Sequence, residues 1–526
     1  MEAAEVKVLL ITGLLAQETV EHYAKQSQVE TMVWVMNVPV AAFLTPQTIT
    51  QSLKKQANVK DFDLILVPGL VRGDTSVISK TTGVPAFKGP QYAADLPTVL
   101  EMLDKVKLST VVPACELLRD KLQKKALEEI SKVEENKEAF LKEPGNMLIK
   151  NLAVGKDFPM RVLAEIVDAA LLSNREVQKL ARKYVAFGAD IIDVGMVAGE
   201  SRPKDAKRIV AAVKDVVSVP ISIDSLDPEE IKAAIAAGVD LVLSVDAGNI
   251  EAITPLPSSI AVVAIPSNQS EGYFPKKPEE RVQLLEQVLV KAKSFGVEKV
   301  LADLILDPLD VLRSFFAFRQ FVQRNPNVPI FVGVSNVTEL IDADSVGVNA
   351  LLARLCSEVG ASMLLATQKS DKAQGSIKEE VTASKMMFLA KRRGSVPKDL
   401  GIDLLFLKDK RNREEPYNKE IETNVRLLAV KNNGKSAEID KQGSFRIFID
   451  REKESVVAIH FNLPDLEEPT LIIKGKTADA IYKKIIELGL ISRLDHAAYL
   501  GSELAKAEIA LRIGKEYIQD KPMFKE

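Results

Sequence analysis

Cysteine, histidine and tryptophan are all scarce in this chain: two cysteines (Cys115 and Cys356), three histidines (His22, His460 and His496) and one tryptophan serve 526 residues. Two thiols exclude a disulfide framework and a cysteine-rich zinc site, and no two histidines stand at zinc-ligand spacing. Nor is one sign of charge in excess, since 70 Lys and Arg face 73 Asp and Glu, a formal net charge of −3. A main partner that is a nucleic acid calls for a basic surface, so none is expected. No apolar run is long enough to span a bilayer. The first such run, residues 6–15, follows acidic Glu2 and Glu5 rather than a basic segment, unlike a signal peptide. A cytoplasmic protein without a membrane partner is expected. The G-x-G-x-x-G fingerprint is missing, and "NNGKS" and "IKGKT" have Ala429 and Thr470 where a phosphate loop needs its first glycine.

What the chain does have is repetition of short apolar runs. Residues 1–148 alternate "VKVLLIT", "ETMVWVMNV", "DFDLILVPG" and "STVVP" with amphipathic stretches, the pattern of a parallel, Rossmann-like α/β sheet covered on both faces. Residues 149–395 repeat it more densely, with runs at 160–169, 189–195, 219–225, 239–248, 259–267, 300–308, 329–336 and 361–368. Eight strand–helix units in about 240 residues predict a (β/α)8 barrel, with a doubly wound sheet as the competing architecture. Residues 396–526 change to apolar–polar alternation in "VRLLAVK", "GSFRIFIDRE" and "ESVVAIHFN", followed by two helices, which predicts a small α+β domain. The expected fold class is therefore α/β, a central barrel flanked by an N-terminal α/β domain and a C-terminal α+β domain.

The predicted barrel contains no histidine, which excludes a histidine-based triad there. Active sites of barrels lie at the carboxyl ends of the strands. The polar residues that finish the apolar runs are Glu165 and Asp168, then Asp193, Asp224, Ser244 and Asp246, Asp307, and Asn336. Asp227, ahead of "PEEIKAAI", reads as a helix cap. Carboxylates that converge on one mouth repel and must be neutralised by a ligand, a metal or protons. A heterocycle with a 2-amino-4-oxo-pyrimidine edge would suit them, because its adjacent N–H donors match a carboxylate. A divalent metal on Asp193, Asp224 and Asp307 would suit them as well.

The strand-end motifs "GADIIDVGMVAGESRP", "PISIDS" and "LILDP" resemble the pterin-binding barrel family, which contains dihydropteroate synthase and methyltetrahydrofolate-type methyltransferases. The three-part layout resembles archaeal dihydropteroate synthase-related proteins. The resemblance implies that Asp224 and Asp307 hold the pterin edge, with Asp193 beside them and Glu165, Asp168, Ser244 and Asp246 around the same pocket. The family's fourth-strand asparagine falls on Leu243 or Ser244. Synthases carry Ser-Arg-Lys on the seventh strand and Arg-x-His on the eighth. Here the seventh reads "GVSNV" and the eighth ends "ATQKSD", so Gly333, Ser335 and Asn336 match the "GxSN" of the methyltransferases. The implied activity is methyl transfer from a reduced pterin of the tetrahydromethanopterin or tetrahydrofolate type, with Asn336 and Asp224 catalytic and no metal. The acceptor would be a thiol or a corrinoid on a partner protein, and a homodimer is expected. The alternatives are a synthase-like condensation with Lys369 or Arg202 supplying the missing cations, and a non-catalytic pterin-binding subunit in which His496 meets a partner.

Overall fold

The computed structural model describes residues 6–54, 57–104, 106–408, 426–428, 430, 439–463 and 467–524. The chain divides into two compact units, Met1–Leu404 and Leu405–Glu526.

The first unit opens with β1 (Lys7–Gly13), β2 (Glu30–Met36), β3 (Leu64–Val67) and β4 (Ala86–Lys88), a parallel sheet in the order β2-β1-β3-β4. Alternation sends Leu9, Ile11, Ile65 and Val67 to one face, against Ile49, Leu53 and Ile78. Val8, Leu10, Leu64 and Leu66 go to the other, against Leu96 and Leu100. The helix Arg119–Glu135 then leads to a hairpin of β5 (Asn146–Ile149) and β6 (Leu152–Gly155).

Eight parallel strands follow: β7 (Arg161–Ile166), β8 (Ile191–Gly195), β9 (Ile221–Asp224), β10 (Leu241–Val245), β11 (Ala261–Ala264), β12 (Lys299–Ala302), β13 (Ile330–Gly333) and β14 (Ala361–Ala366). They close on themselves, β14 pairing with β7, as the eight predicted runs require. Two-residue periodicity again sorts the side chains. Leu163, Ile191, Leu241, Val263, Leu301, Phe331 and Met363 point inward and meet Ile149 and Val154 of the hairpin, which plugs the amino-terminal end. Val162, Ala164, Ile192, Val194, Ile221 and Ile223 point outward against the surrounding helices. Asp227 caps Pro228–Ala237 as expected, accepting hydrogen bonds from the Glu229 and Glu230 amides at 2.7 and 3.0 Å. A buried Arg161 forks onto Glu134 at 2.7 and 3.0 Å and fixes the helix before the hairpin to the first barrel strand.

Several expected boundaries shift. "STVVP" forms no strand: residues 109–110 run beside β4 and loop 68–75, accepting from the Lys88 and Thr75 amides, and the fourth strand is Ala86–Lys88 instead. The sixth barrel run leaves the sheet after Ala302, with Ile305 in the left-handed region at φ 62°. The seventh ends at Gly333, and Ser335–Thr338 is already a helical turn.

The second unit is an antiparallel sheet of β15 (Ser444–Asp450), β16 (Ser455–Phe461) and β17 (Pro469–Gly475), with β16 central. The helices Ala478–Glu487 and Leu494–Ile513 cover one face through Ile481, Ile485, Leu500 and Leu504. The third strand is thus β17, which the sequence does not announce. "VRLLAVK" lies partly outside the described residues, and those of it that are described form no strand.

Candidate active site

Inward parity builds the site. On the first three barrel strands the inward row ends in an acid: Leu163 is followed by Glu165, Ile191 by Asp193, and buried Ser222 by Asp224. Register places Glu165 opposite Asp193, and Asp193 opposite Ser222. One oxygen from each of Glu165, Asp193 and Asp224 lies within 4.8 Å of the others. Gly195 makes the room, since a Cβ there would overlap the Glu165 carboxyl. Gly195→Ala should therefore displace that carboxyl; a drop in ligand affinity with an unchanged melting temperature is the expected result.

Three ionised groups this close would repel by about 3 kcal/mol per pair even at an effective dielectric of ~20. Protonation relieves this. Asp193 is fully buried, and its Oδ1 accepts from Ser222 Oγ at 2.5 Å while Oδ2 has no hydrogen-bond partner among the described residues. Burial, then the charges of Asp224 and Glu165, push its carboxyl well above the ordinary value. Burial, then Asp224 and Asp168, raise Glu165 to about 8. Burial alone takes Asp224 to about 6. A divalent cation would want all three ionised. The same three oxygens lie close enough to one another to hold a metal ion.

A fourth carboxyl escapes the sequence reading. Asp303 follows inward Leu301 by two residues, is buried, and is raised to about 7 by burial, with the Asp224 charge adding to it. Asp307, the expected strand-six ligand, is engaged otherwise. Its Oδ1 accepts from the Leu309 amide at 3.0 Å and its Oδ2 pairs with Arg281 at 3.3 Å. Arg281 is itself buried, donates to the carbonyls of Pro275 and Ile305, and stands 4.7 Å from the Phe274 ring centre. Asp307 and Arg281 thus brace the loop after β12, and Asp303 helps through Oδ1, which accepts from the Ile305 amide at 2.8 Å, while its place two residues after Leu301 continues the inward row.

Asp246 is also committed to architecture, accepting from the amides of Gly248, Asn249 and Gln269 and from Ser267 Oγ at 2.8–2.9 Å. Ser244 offers its backbone: its carbonyl accepts from Asn249 Nδ2 at 3.0 Å. Asp168, left-handed at φ 51°, holds Lys369 across the rim between the first and eighth strands. Glu339 organises the same rim by accepting from Thr367 Oγ1 and the Lys369 amide at 3.0 and 2.9 Å. Ser335 clamps β13 to β14, donating to the Leu365 carbonyl and accepting from the Thr367 amide. Asn336 is half-buried over Gly333; its Nδ2 donates to the Leu306 carbonyl at 3.1 Å, and its Oδ1 makes no hydrogen bond with the described residues. Arg202 turns to Glu200 at 2.8 Å. In the second unit, His496 rests on Asp440 at 3.1 Å. Hydrogen bonds to Asp440 from Ser492, Gln442 and His496 outweigh its burial and hold that carboxyl below its usual range. His496 therefore has a structural partner of its own.

An eight-stranded parallel barrel with inward carboxyls at its carboxyl-terminal end has its polar cluster where barrels carry their active sites. The model described as "Pterin binding enzyme" matches residues 166–368, which spans seven of the eight strands in full. One described as PterinBD-DUF4346 matches 439–520, and a family of unknown function matches 6–91. An uncharacterized protein of Methanocaldococcus jannaschii is 44% identical over 533 residues, covering 99% of each chain. A Ycf91-like protein of Nostoc sp. is 35% identical over 107 residues, 16% of this chain and 84% of that one. The dihydropteroate synthase of Xanthomonas albilineans, solved with indole-2-carboxylic acid and 6-chloroguanine, matches 46% of this chain and 96% of its own at 17% identity and a TM-score of 0.38. That of Yersinia pestis matches 48% and 100% at 14% identity and a TM-score of 0.39. The chain belongs to one family with the Methanocaldococcus protein, and its residues 166–368 match the pterin binding enzyme family.

Proposed function

We propose that the chain is a transferase that takes a methyl group from a reduced pterin, of the tetrahydromethanopterin or tetrahydrofolate type, to a thiol or corrinoid on a partner protein. The carrying observation is the row of inward carboxyls, Glu165, Asp193, Asp224 and Asp303, which suits the donor-rich edge of a pterin. Asp303 takes the place first given to Asp307. Asn336 supports methyl transfer over condensation. When the N–CH3 bond breaks, its electron pair returns to the ring nitrogen, which takes up a proton, while the nucleophile receives the methyl. An amide whose Oδ1 is available accepts from that new N–H without placing a charge in the pocket. Lys369 favours the second reading, a synthase-like condensation, because it brings a cation to the rim where a departing pyrophosphate could use it. A homodimer in the cytoplasm remains the expected setting; among the described residues no helix is long and apolar enough to cross a membrane.

Calorimetry of the full chain with tetrahydrofolate and tetrahydromethanopterin should find one pterin site per chain. Absence of heat with every reduced pterin would remove the proposal. Methyl appearance on an added thiol or corrinoid, against pyrophosphate release with an arylamine and a pterin methyl-pyrophosphate, separates the two readings.

A further inference from the structure

The chain's three histidines differ in what their ring nitrogens touch. His460, buried in β16, has both committed: Nδ1 meets Thr470 Oγ1 and Nε2 the Gln442 carbonyl, each at 2.7 Å. His22 is exposed on the helix Gln17–Ala24, with Nε2 beside Gln26. His496 combines burial with an uncommitted nitrogen. Its side chain is only 12% exposed, Nδ1 lies 3.1 Å from the buried Asp440 carboxyl, and Nε2 makes no hydrogen bond with the described residues. Asp440 is itself pinned. Its Oδ1 accepts from the Gln442 amide at 3.0 Å and from Ser492 Oγ, and its Oδ2 from the Ser492 and Arg493 amides at 2.9 and 3.0 Å. An ionised carboxylate is an acceptor only, so it takes the Nδ1 proton and leaves the lone pair of the neutral ring on Nε2. Phe445 stands 6.2 Å from the ring, and Tyr499 stacks on it at 6.5 Å and 26°. Tyr499 is tied in turn to Asp520 and Gln519 at 2.7 and 2.8 Å. A histidine with one nitrogen fixed on a carboxylate and the other open is held as metal-ligating histidines are held.

What is missing around His496 narrows the ligand. Both cysteines lie in the first unit, and the adjacent acid, Asp495, is paired with Arg493 at 2.8 Å. Among the described residues, the second unit holds no group of three side chains placed to share a metal ion. A bare divalent ion would find one protein donor where a stable site needs about three or four. A metal that binds here must therefore bring most of its ligands with it. We propose that the second unit is a binding module for a metal already held in a planar macrocycle, with His496 Nε2 as its axial ligand. Nε2 gives its lone pair to the open axial position and a bound water leaves; no electron or proton is transferred. A corrinoid is one source of such a complex and a haem is the other. The inference goes beyond the pterin reading and does not depend on it.

The test is titration of the full chain with aquocobinamide, a corrinoid that lacks a base of its own, and separately with haemin. Bound cobinamide, reduced to cobalt(II), should show each cobalt line of its EPR spectrum split into a triplet by a single nitrogen nucleus. Bound haemin should show the absorption bands of a histidine-ligated iron. His496→Ala should remove these signatures and weaken binding by at least about tenfold, and Asp440→Asn, which keeps the shape and loses the charge, should weaken it by about 10- to 100-fold. His22→Ala should change neither. Thermal melts check the folding of the variants, and the wild-type spectra stand without them. A nitrogen signature with cobinamide assigns the source to a corrinoid, and one with haemin to a haem. No such signature with either macrocycle, or one that survives His496→Ala, would overturn the proposal while leaving pterin calorimetry untouched.

Discussion

Asp224→Asn is expected to weaken reduced-pterin binding by about 100-fold, the worth of one charge-assisted hydrogen-bond pair of ~2–3 kcal/mol, while making the unliganded chain more stable. The affinity loss follows from geometry. Asp224 is the last residue of β9, inward by parity with Ser222, and an amide of the same size puts an N–H where the ring presents N–H groups. The stability gain follows from linkage. Burial lifts the folded-state value from 3.8 to about 6. Stability is therefore fully present below about pH 4, where the group is protonated folded or unfolded, and is lost as pH rises through about 6. At pH 7.5 the wild-type chain carries that penalty, on the order of 3 kcal/mol, and the asparagine variant does not. Calorimetry and thermal melting at pH 7.5 check both halves. Lost affinity with a lower melting temperature would mean that Asp224 holds the barrel together rather than a ligand.

The opposition of affinity and stability at one residue also explains what could be read before folding. Barrel strands are legible because β-branched and aliphatic runs of four to six residues recur eight times, and the acids that interrupt them at Glu165, Asp193 and Asp224 break the apolar rule at the right parity. Where a run gives no sign of its end, the reading slips. "VLADLILDP" is apolar on both sides of Asp303, so the acid looks like part of a strand that in fact stops at Ala302, and the more prominent "LDP" draws the assignment to Asp307. Arg281 hides for a related reason. It sits in the first turn of Pro278–Ser294 among charged neighbours, and only the loop folded over it, with Phe274 against its guanidinium, makes it a buried brace. The hairpin of β5 and β6 goes unread in the sequence, its two strands being only four residues each, yet Ile149 and Val154 fill the end of the barrel. Asp246 has the right position for a ligand contact and spends every oxygen on its own loops. Strand periodicity constrains direction; it does not say which groups a loop will claim.

Asn336→Ala should lower the rate of methyl transfer by about 100- to 1,000-fold, the range for removing one well-placed polar group that meets charge developing in a transition state. Pterin affinity should change by only a few-fold, because the carboxyls of β7, β8 and β9 and Asp303 provide the ground-state grip. The split between rate and binding is the informative part. Nδ2 gives one of its two protons to the Leu306 carbonyl, which fixes the amide plane and leaves Oδ1 as an acceptor. An acceptor gains most when the ring nitrogen acquires its proton, so its loss should be felt in kcat rather than in Kd. Asn336→Asp sharpens the test: it keeps the acceptor but adds a negative charge to a mouth that already contains four carboxyls, and it should bind pterin less well and raise the pH at which transfer is fastest. If the chain condenses instead of methylating, the order of damage reverses. Lys369→Ala would then cost the most, Asn336→Ala would leave pyrophosphate release nearly untouched, and the rim cation rather than the amide would be the residue that serves the leaving group.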